Sequence, residues 1–246
     1  MTLEWWQWGI VGLAAFAVGV SKTGIAGLSV LSVAVFATLL TARDAVGAVL
    51  VMLIAADLVA VSNYRTEVDW RMILRIFPWA AAGVVLGALL LGRIDNAGLS
   101  RLIGGVLLLL VLLTLWRRQR LASGSEFKLP HFMTPVTGIA AGVFTMVANA
   151  AGAIMTLYLL EQNLSRFVFM GTSAWFFLAL NLFKVPFSFG LGMINPGSFQ
   201  LALMLAPFAM LGAAVGKPLL RRINQNAFEL SALILTLVAA VRLLLQ

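Results

Sequence analysis

The residue best suited to chemistry in this sequence is Lys22, a lone ammonium inside an apolar stretch that runs from Trp5 to Leu40. A lysine at bilayer depth costs about 2.5–3.5 kcal/mol, so it is retained where it faces water, a counter-ion or an anionic ligand. Its neighbours Ser21, Thr23 and Gly24 supply two hydroxyl groups and a break in the helix. Free N–H groups at the start of a helix attract anions. This string therefore predicts a site for a small anion, whose charge would compensate an ammonium that otherwise lacks a full partner.

Four further polar residues lie within apolar segments and are candidates for the same site. Asn149 begins the string Asn-Ala-Ala-Gly, a second helix break that is polar but uncharged. Asp57 has three roles open to it: an ion pair with Lys22, proton coupling, or a structural hydrogen bond. Asn181 and Lys184 are one helical turn apart and share one helical face. Two facing half-helix breaks are where secondary transporters bind their substrates.

Each of these residues also has a structural interpretation. Lys22 and Lys184 could extend their long side chains to a membrane surface. Gly24 could simply permit close helix packing. Ser188 continues the helical face of Lys184, although Pro186 could end that helix early.

The composition places the whole chain among polytopic membrane proteins. Of its 246 residues, 62% are hydrophobic and 11% are charged, with a mean hydropathy of +1.02. The absence of cysteine excludes thiol chemistry and Cys-ligated metals, and the single histidine, His131, cannot by itself form a metal site. We therefore expect neither an enzyme nor a cofactor. The net charge of +8 lies in loops, where it indicates topology and contact with anionic lipid rather than with nucleic acid.

An internal repeat organises the chain. Pro78–Gly87 reads without gaps against Pro207–Gly216, and a similar polar turn follows each. With small shifts in register, Asp57 matches Asn181. We predict two copies of one unit, at residues 1–116 and 132–246, joined by a cytoplasmic linker loop at residues 117–131.

Each copy contains five apolar segments, of which the first two carry roughly 14 residues, fewer than the ~20 needed to cross a bilayer. We interpret each short pair as a hairpin that enters the membrane and turns back. The predicted fold is an all-α polytopic membrane protein of two inverted repeats, each a broken, re-entrant helical hairpin plus three transmembrane helices. If each hairpin were one tilted crossing, the chain would instead have eight helices and parallel repeats. The segments fall near Trp6–Val20, Gly27–Leu40, Asp44–Tyr64, Leu74–Gly92, Leu102–Trp116, Phe132–Val147, Gly152–Leu164, Phe167–Val185, Phe199–Gly216 and Phe228–Leu244.

Loop charge predicts the orientation. The loop Arg65–Arg75 carries three arginines, whereas its counterpart Pro186–Ser198 carries no lysine or arginine. Matched loops that differ in this way belong on opposite faces under the positive-inside rule. With the basic loops in the cytoplasm, both termini lie outside a multi-pass protein of the cytoplasmic (inner) membrane.

Several strings of this sequence together carry a family resemblance: Gly19–Gly24 with Gly27 and Asp57, the two proline–glycine units, Phe144–Gly152, Thr172–Phe177 and Asn181–Phe187. They resemble the TauE/SafE family of sulfite exporters, over essentially the whole chain. Where members often have Gly-Pro, this chain has Gly152-Ala153. The resemblance implies permeation of small sulfur-containing anions such as sulfite or organosulfonates, without fixing which anion or the direction.

Residues and resemblance together predict a secondary transporter that exports sulfite or an organosulfonate by alternating access. An anion channel with the same positively lined pathway is the alternative. The expected partners are a small anion and the lipid bilayer, and a homodimer is one option for the oligomeric state. The expected substrate-binding residues are Ser21, Lys22, Thr23, Gly24, Asn149, Asn181 and Lys184, with Asp57 in coupling or an ion pair.

Overall fold

The computed structural model describes residues 4–22, 28–122, 133–160, 162, 164–220 and 225–245 of the chain. Within these ranges the secondary structure is all helical, as predicted for a polytopic membrane protein. Five of the helices (α3, α4, α5, α8 and α9) are long and apolar enough to cross a membrane. The helices are α1 (Trp5–Ser21), α2 (Leu28–Leu39), α3 (Ala42–Tyr64), α4 (Trp70–Leu91), α5 (Asn96–Ala122), α6 (Thr134–Ala148), α7 (Gly152–Leu160), α8 (Arg166–Gly190), α9 (Pro196–Leu220) and α10 (Gln225–Leu244).

The predicted segments correspond to these helices in order, but many helix ends differ from the prediction; α4, for example, begins at Trp70 rather than Leu74 and α5 at Asn96 rather than Leu102. Helix α7 ends at Leu160, earlier than predicted. Helix α5 continues to Ala122, into the segment predicted as a linker, because its arginine-rich end consists of good helix formers. Helix α8 continues through Pro186 to Gly190, so this proline does not end the helix. Neighbouring helices and local adjustments commonly satisfy the backbone groups that such a proline frees.

The chain reverses direction between α1 and α2. The hydroxyl of Ser32 on α2 donates a hydrogen bond of 2.9 Å to the carbonyl of Ala14 on α1. In a continuous helix these two residues would lie about 27 Å apart, at 1.5 Å per residue. The first two helices therefore form a hairpin rather than one long crossing. The short helices α6 and α7 are also in contact with one another.

The first helix of each half of the chain packs against a helix of the other half. Helix α1 packs against α9 of the second half, and α6 packs against α4 of the first half. Glycines permit both approaches: a Cβ atom at Gly19 would lie 1.9 Å from the carbonyl oxygen of Ala209, and one at Gly142 would lie 2.0 Å from that of Ala80. Helix crossings in membranes use small residues in this way, because backbones can then come close. Ala80 and Ala209 are equivalent positions in the internal repeat.

Replacing Gly19 by alanine is expected to destabilise this crossing. The added methyl group meets backbone atoms of α9, which cannot rotate away, and overpacking of this kind costs about 1–3 kcal/mol. Gly12→Ala on the same helix is the matched control, since no atom lies within 4 Å of its Cβ position. Thermal unfolding of the purified variants in detergent measures the difference. Equal melting temperatures for the two variants would contradict this packing.

Arg43 donates hydrogen bonds to carbonyl groups near the ends of two other helices, at one end of the bundle. It lies in the first turn of α3 and donates to the carbonyl of Leu191 at 2.8 Å, just past α8. The same guanidinium donates to Leu91 at 3.3 Å and Ile94 at 2.6 Å, at the end of α4. The start of α3 and the ends of α4 and α8 therefore share one end of the bundle. Helices α3 and α4 consequently run in opposite directions.

The outer surface of the bundle is apolar. Large hydrophobic side chains such as Leu13 and Leu74 are each 72% exposed, and similar residues cover the outer faces of several helices. A soluble monomer rarely exposes so much contiguous apolar surface, whereas lipid covers it in a membrane. Several polar side chains are nevertheless buried inside the bundle, on α3, α6 and α8.

Candidate functional site: a buried polar cluster

An ion pair between the end of α1 and the middle of α3 lies inside the bundle. The ammonium nitrogen of Lys22 lies 2.8 Å from Oδ1 of Asp57. The side chain of Asp57 is fully buried, and that of Lys22 is 10% exposed. The same ammonium lies 4.6 Å from the centroid of the Phe177 ring, within the range of a cation–π contact. Lys22 therefore points into the protein and does not extend to a surface.

Asn181 on α8 contacts the second carboxylate oxygen of Asp57. Its amide nitrogen donates a 2.7 Å hydrogen bond to Oδ2 of Asp57, and both side chains are buried. Of the three roles open to Asp57, the structure thus contains the ion pair and a hydrogen bond. The two residues occupy matching positions in the repeat predicted from the sequence.

Lys184, one turn further along α8, has a different environment. Its ammonium donates to Oδ1 of Asn149 at 2.5 Å and to the hydroxyl of Thr145 at 3.2 Å. The side chain is completely buried, although it lies near the end of a helix from which a lysine could reach a surface. The surface-directed interpretation of Lys184 is therefore wrong. The polar cluster comprises Lys22, Asp57, Thr145, Asn149, Asn181 and Lys184.

The backbone of Asn149 explains why an asparagine occupies the second helix break. Helix α6 ends at Ala148, and Asn149 follows in the left-handed region with φ 51° and ψ 34°. Asparagine adopts this region more readily than most other residues with a side chain. Its amide nitrogen donates to the carbonyl of Val46 on α3 at 2.9 Å. This bond orients the amide so that its oxygen faces Lys184.

The charges of the polar cluster do not cancel. Lys22 is paired with Asp57, whereas Lys184 is held by a hydroxyl and an amide oxygen, both neutral. Among the described residues, no carboxylate forms a salt bridge with Lys184. The expectation that Lys22 is the ammonium without a full partner is therefore wrong, because Asp57 reaches it across the bundle. Lys184 is the cation whose charge is not matched.

The remaining sequence-predicted residues are placed as follows. Ser21 is turned toward its own helix, with its hydroxyl donating to the carbonyl of Val18 at 2.6 Å. A serine can make such a bond within the last turn of a helix. Thr23 and Gly24 lie outside the described residues.

Thr145, Phe177 and Ser188 adjoin the predicted site residues but were not themselves predicted to belong to the site. Thr145 lies one turn before Asn149, a spacing that places both on one face of α6 and was visible in the sequence. Phe177 had no comparable signal. Ser188, one turn after Lys184, is fully buried, and its hydroxyl has no hydrogen-bond partner within the described part of the chain. An unpaired buried hydroxyl is rare and is a candidate donor to a ligand.

The described residues contain no group of three or more histidine, cysteine, aspartate or glutamate side chains that could hold a metal ion. The polar groups assembled here are ammonium, amide and hydroxyl donors around a single carboxylate. Such a set binds oxyanions, because their oxygens accept hydrogen bonds from several donors at once.

Comparison with known proteins identifies the family of the chain. Residues 11–243 match the family described as Sulfite exporter TauE/SafE. Over 183 residues the chain is 26% identical to the "Probable inner membrane transporter protein TsaS" of Comamonas testosteroni, and the alignment covers 74% of each protein. No solved structure matches the chain. Since the family match extends from the first helix to the last, this protein belongs to the TauE/SafE sulfite exporter family of membrane transporters.

Proposed function

We propose that this transporter exports a small sulfur-containing anion, sulfite or an organosulfonate, by alternating access. The observation that carries the proposal is the buried ammonium of Lys184, which has only neutral partners. A charge in such a position is costly unless a counter-charge joins it. A sulfite or sulfonate group supplies that charge together with several hydrogen-bond acceptors.

The polar cluster supplies the donors for such an anion. The ammonium of Lys184 is the main electrostatic contact, and the free hydroxyl of Ser188 lies one turn along the same helix. Lys22 and Asn181 flank this position through their contacts with Asp57. As the sequence predicts, the proposed site also includes Ser21, Thr23, Gly24 and Asn149, because secondary transporters bind their substrates at breaks between half-helices.

The proposed architecture is a pair of inverted repeats, residues 1–116 and 132–246, joined by a cytoplasmic linker at residues 117–131. Two sets of equivalent contacts support it: α1 against α9, and α6 against α4. Asp57 and Asn181, which are equivalent positions, also contact each other. A site on the axis between two inverted halves can be exposed to either face when one half rocks against the other. The proposal includes no cofactor, no catalysis and no nucleic-acid partner, and leaves a homodimer as an option.

We infer further that the protein lies in the cytoplasmic (inner) membrane with both termini outside. The TsaS relative is named as an inner membrane protein. The end of the bundle where Arg43 binds Leu91 and Leu191 adjoins loops poor in lysine and arginine. The opposite end adjoins Arg65–Arg75 and the arginine-rich end of α5. The positive-inside rule assigns that opposite end to the cytoplasm.

Single cysteines test this orientation directly, because the natural chain contains none. Thr66 and Ala97 are both exposed and lie beyond opposite ends of α4, Thr66 in the loop before it and Ala97 in the first turn of α5. In intact cells, a membrane-impermeant maleimide is expected to label Ala97→Cys but to label Thr66→Cys only after the membrane is opened. The reverse pattern would place the termini in the cytoplasm.

Counterflow in proteoliposomes tests the transport mechanism. Vesicles loaded with unlabelled sulfite or organosulfonate are expected to accumulate labelled substrate transiently, because a carrier exchanges one bound anion for another. A channel with the same lining conducts without such exchange, so monotonic equilibration would favour that alternative. If no sulfur-containing anion moves in either protocol, the proposed substrate class is wrong.

A further inference from the structure

The polar cluster contains one carboxylate and two ammonium groups, and this ratio bears on the charge of the substrate. We propose that Asp57 sets substrate valence, so that the site accepts singly charged anions, such as hydrogen sulfite and monosulfonates, in preference to doubly charged ones. This inference rests on the proposed function. It adds a specificity-determining role for a residue that otherwise pairs with Lys22 and accepts a hydrogen bond from Asn181.

The contacts of Asp57 hold its carboxylate next to Lys22. One oxygen of Asp57 lies 2.8 Å from the ammonium of Lys22, and the other accepts from Asn181 at 2.7 Å. Both oxygens are therefore engaged, and the side chain is fully buried. Asp57 cannot turn away to leave Lys22 free for a second negative charge on the substrate. Asn181, the equivalent residue of the second half, is neutral and adds no charge.

Charge balance then favours one negative charge on the ligand. With Lys22 cancelled by Asp57, the cluster has one surplus positive charge at Lys184, which a monoanion neutralises. A dianion would leave one negative charge uncompensated among buried groups, next to the carboxylate of Asp57. An unpaired buried charge is strongly unfavourable, and like charges in one site raise that cost.

Wild-type protein in proteoliposomes provides the first test. Uptake of labelled methanesulfonate is measured against unlabelled methanesulfonate, a monoanion, and sulfate, a dianion of similar size. Methylphosphonate is then compared at acidic pH, where it carries one charge, and at alkaline pH, where it carries two, with methanesulfonate as the reference at each pH. We expect at least about tenfold weaker competition by the doubly charged form in both comparisons, equivalent to one factor of ten in affinity.

Two variants provide the second test. Asp57→Asn raises the net charge of the polar cluster from one to two positive charges. This variant is therefore expected to prefer monoanions over dianions at least about tenfold less strongly than wild type, or to prefer dianions. Lys22→Gln combined with Asp57→Asn returns the surplus to one and is expected to restore the wild-type preference ratio, whatever its absolute rate. Gel filtration and thermal unfolding establish that each variant is folded. If Asp57→Asn does not fold, the wild-type comparison and the double variant still decide the question.

The outcomes separate this inference from the proposed function. If wild-type protein moves methanesulfonate and sulfate equally well, the valence role of Asp57 is overturned while anion transport stands. An unchanged preference ratio in folded Asp57→Asn protein overturns it too, as does loss of the preference in the double variant. If no anion is transported at all, it is the proposed function that fails.

Discussion

Anion exchange by Lys184→Met protein in proteoliposomes is expected to fall at least about 100-fold below wild type, a loss of about 3 kcal/mol of substrate interaction. The physical reason is the position of this ammonium, which is fully buried and whose hydrogen-bond partners among the described residues are the neutral oxygens of Asn149 and Thr145. Methionine is unbranched and apolar, so it fills similar space without the charge. The variant therefore removes the one buried cation that a substrate anion would neutralise.

The same substitution is expected to leave the melting temperature unchanged or to raise it. Replacing a buried charge that lacks a counter-charge by an apolar group is often neutral or stabilising. Loss of transport together with retained stability distinguishes a binding role from a structural one. Arg242→Met is the control, because it removes an exposed cation from the last turn of α10, outside the polar cluster, and it should transport like wild type. Wild-type rates for Lys184→Met would remove this residue from the site.

The second large effect concerns stability and the ion pair between Lys22 and Asp57. Asp57→Ala is expected to lower the free energy of unfolding by about 3–5 kcal/mol, because it leaves a mostly buried ammonium without its counter-charge. Lys22→Met combined with Asp57→Ala removes both charges and is expected to recover a large part of this loss. Together with the Lys22→Met single variant, these proteins form a double-mutant cycle that, measured by unfolding in detergent, isolates the coupling between the two side chains.

Asp95→Ala is the control for the loss of a carboxylate. Asp95 is exposed at the end of the bundle, where Oδ1 accepts from the N–H of Gly98 at 2.8 Å in the first turn of α5. Its removal is expected to cost about 1 kcal/mol, typical of a lost helix cap. A cost for Asp57→Ala as small as this one, or no recovery in the double variant, would show that the ion pair is not a buried stabilising contact.

Much of the helix order could be predicted because lipid imposes simple demands on a sequence. Apolar runs, their lengths and the short pairs at the start of each half are local properties, and all ten predicted segments correspond to helices. The failures at helix ends have local causes as well, such as the tolerance of α8 for Pro186. The candidate residues Lys22, Asp57, Asn149, Asn181 and Lys184 stood out because polar groups are rare within apolar segments.

The partners of those residues were not available from the sequence. Lys22 and Asp57 meet across 35 positions, but Asp57 and Asn181 meet across 124 and Asn149 reaches Val46 across 103. Such contacts depend on how helices cross, and the crossing of α1 with α9 depends on the fit of Gly19 to one particular backbone. The periodicity and composition of the sequence do not predict that fit.

By itself the sequence determined that this is an all-helical membrane protein and which polar groups lie within its apolar segments, because burial in lipid is decided residue by residue. Only the tertiary structure decided which charges cancel. It paired Asp57 with Lys22 and left Lys184 among neutral oxygens. Electrostatic balance is a property of distances between side chains, and those distances exist only once the helices have packed.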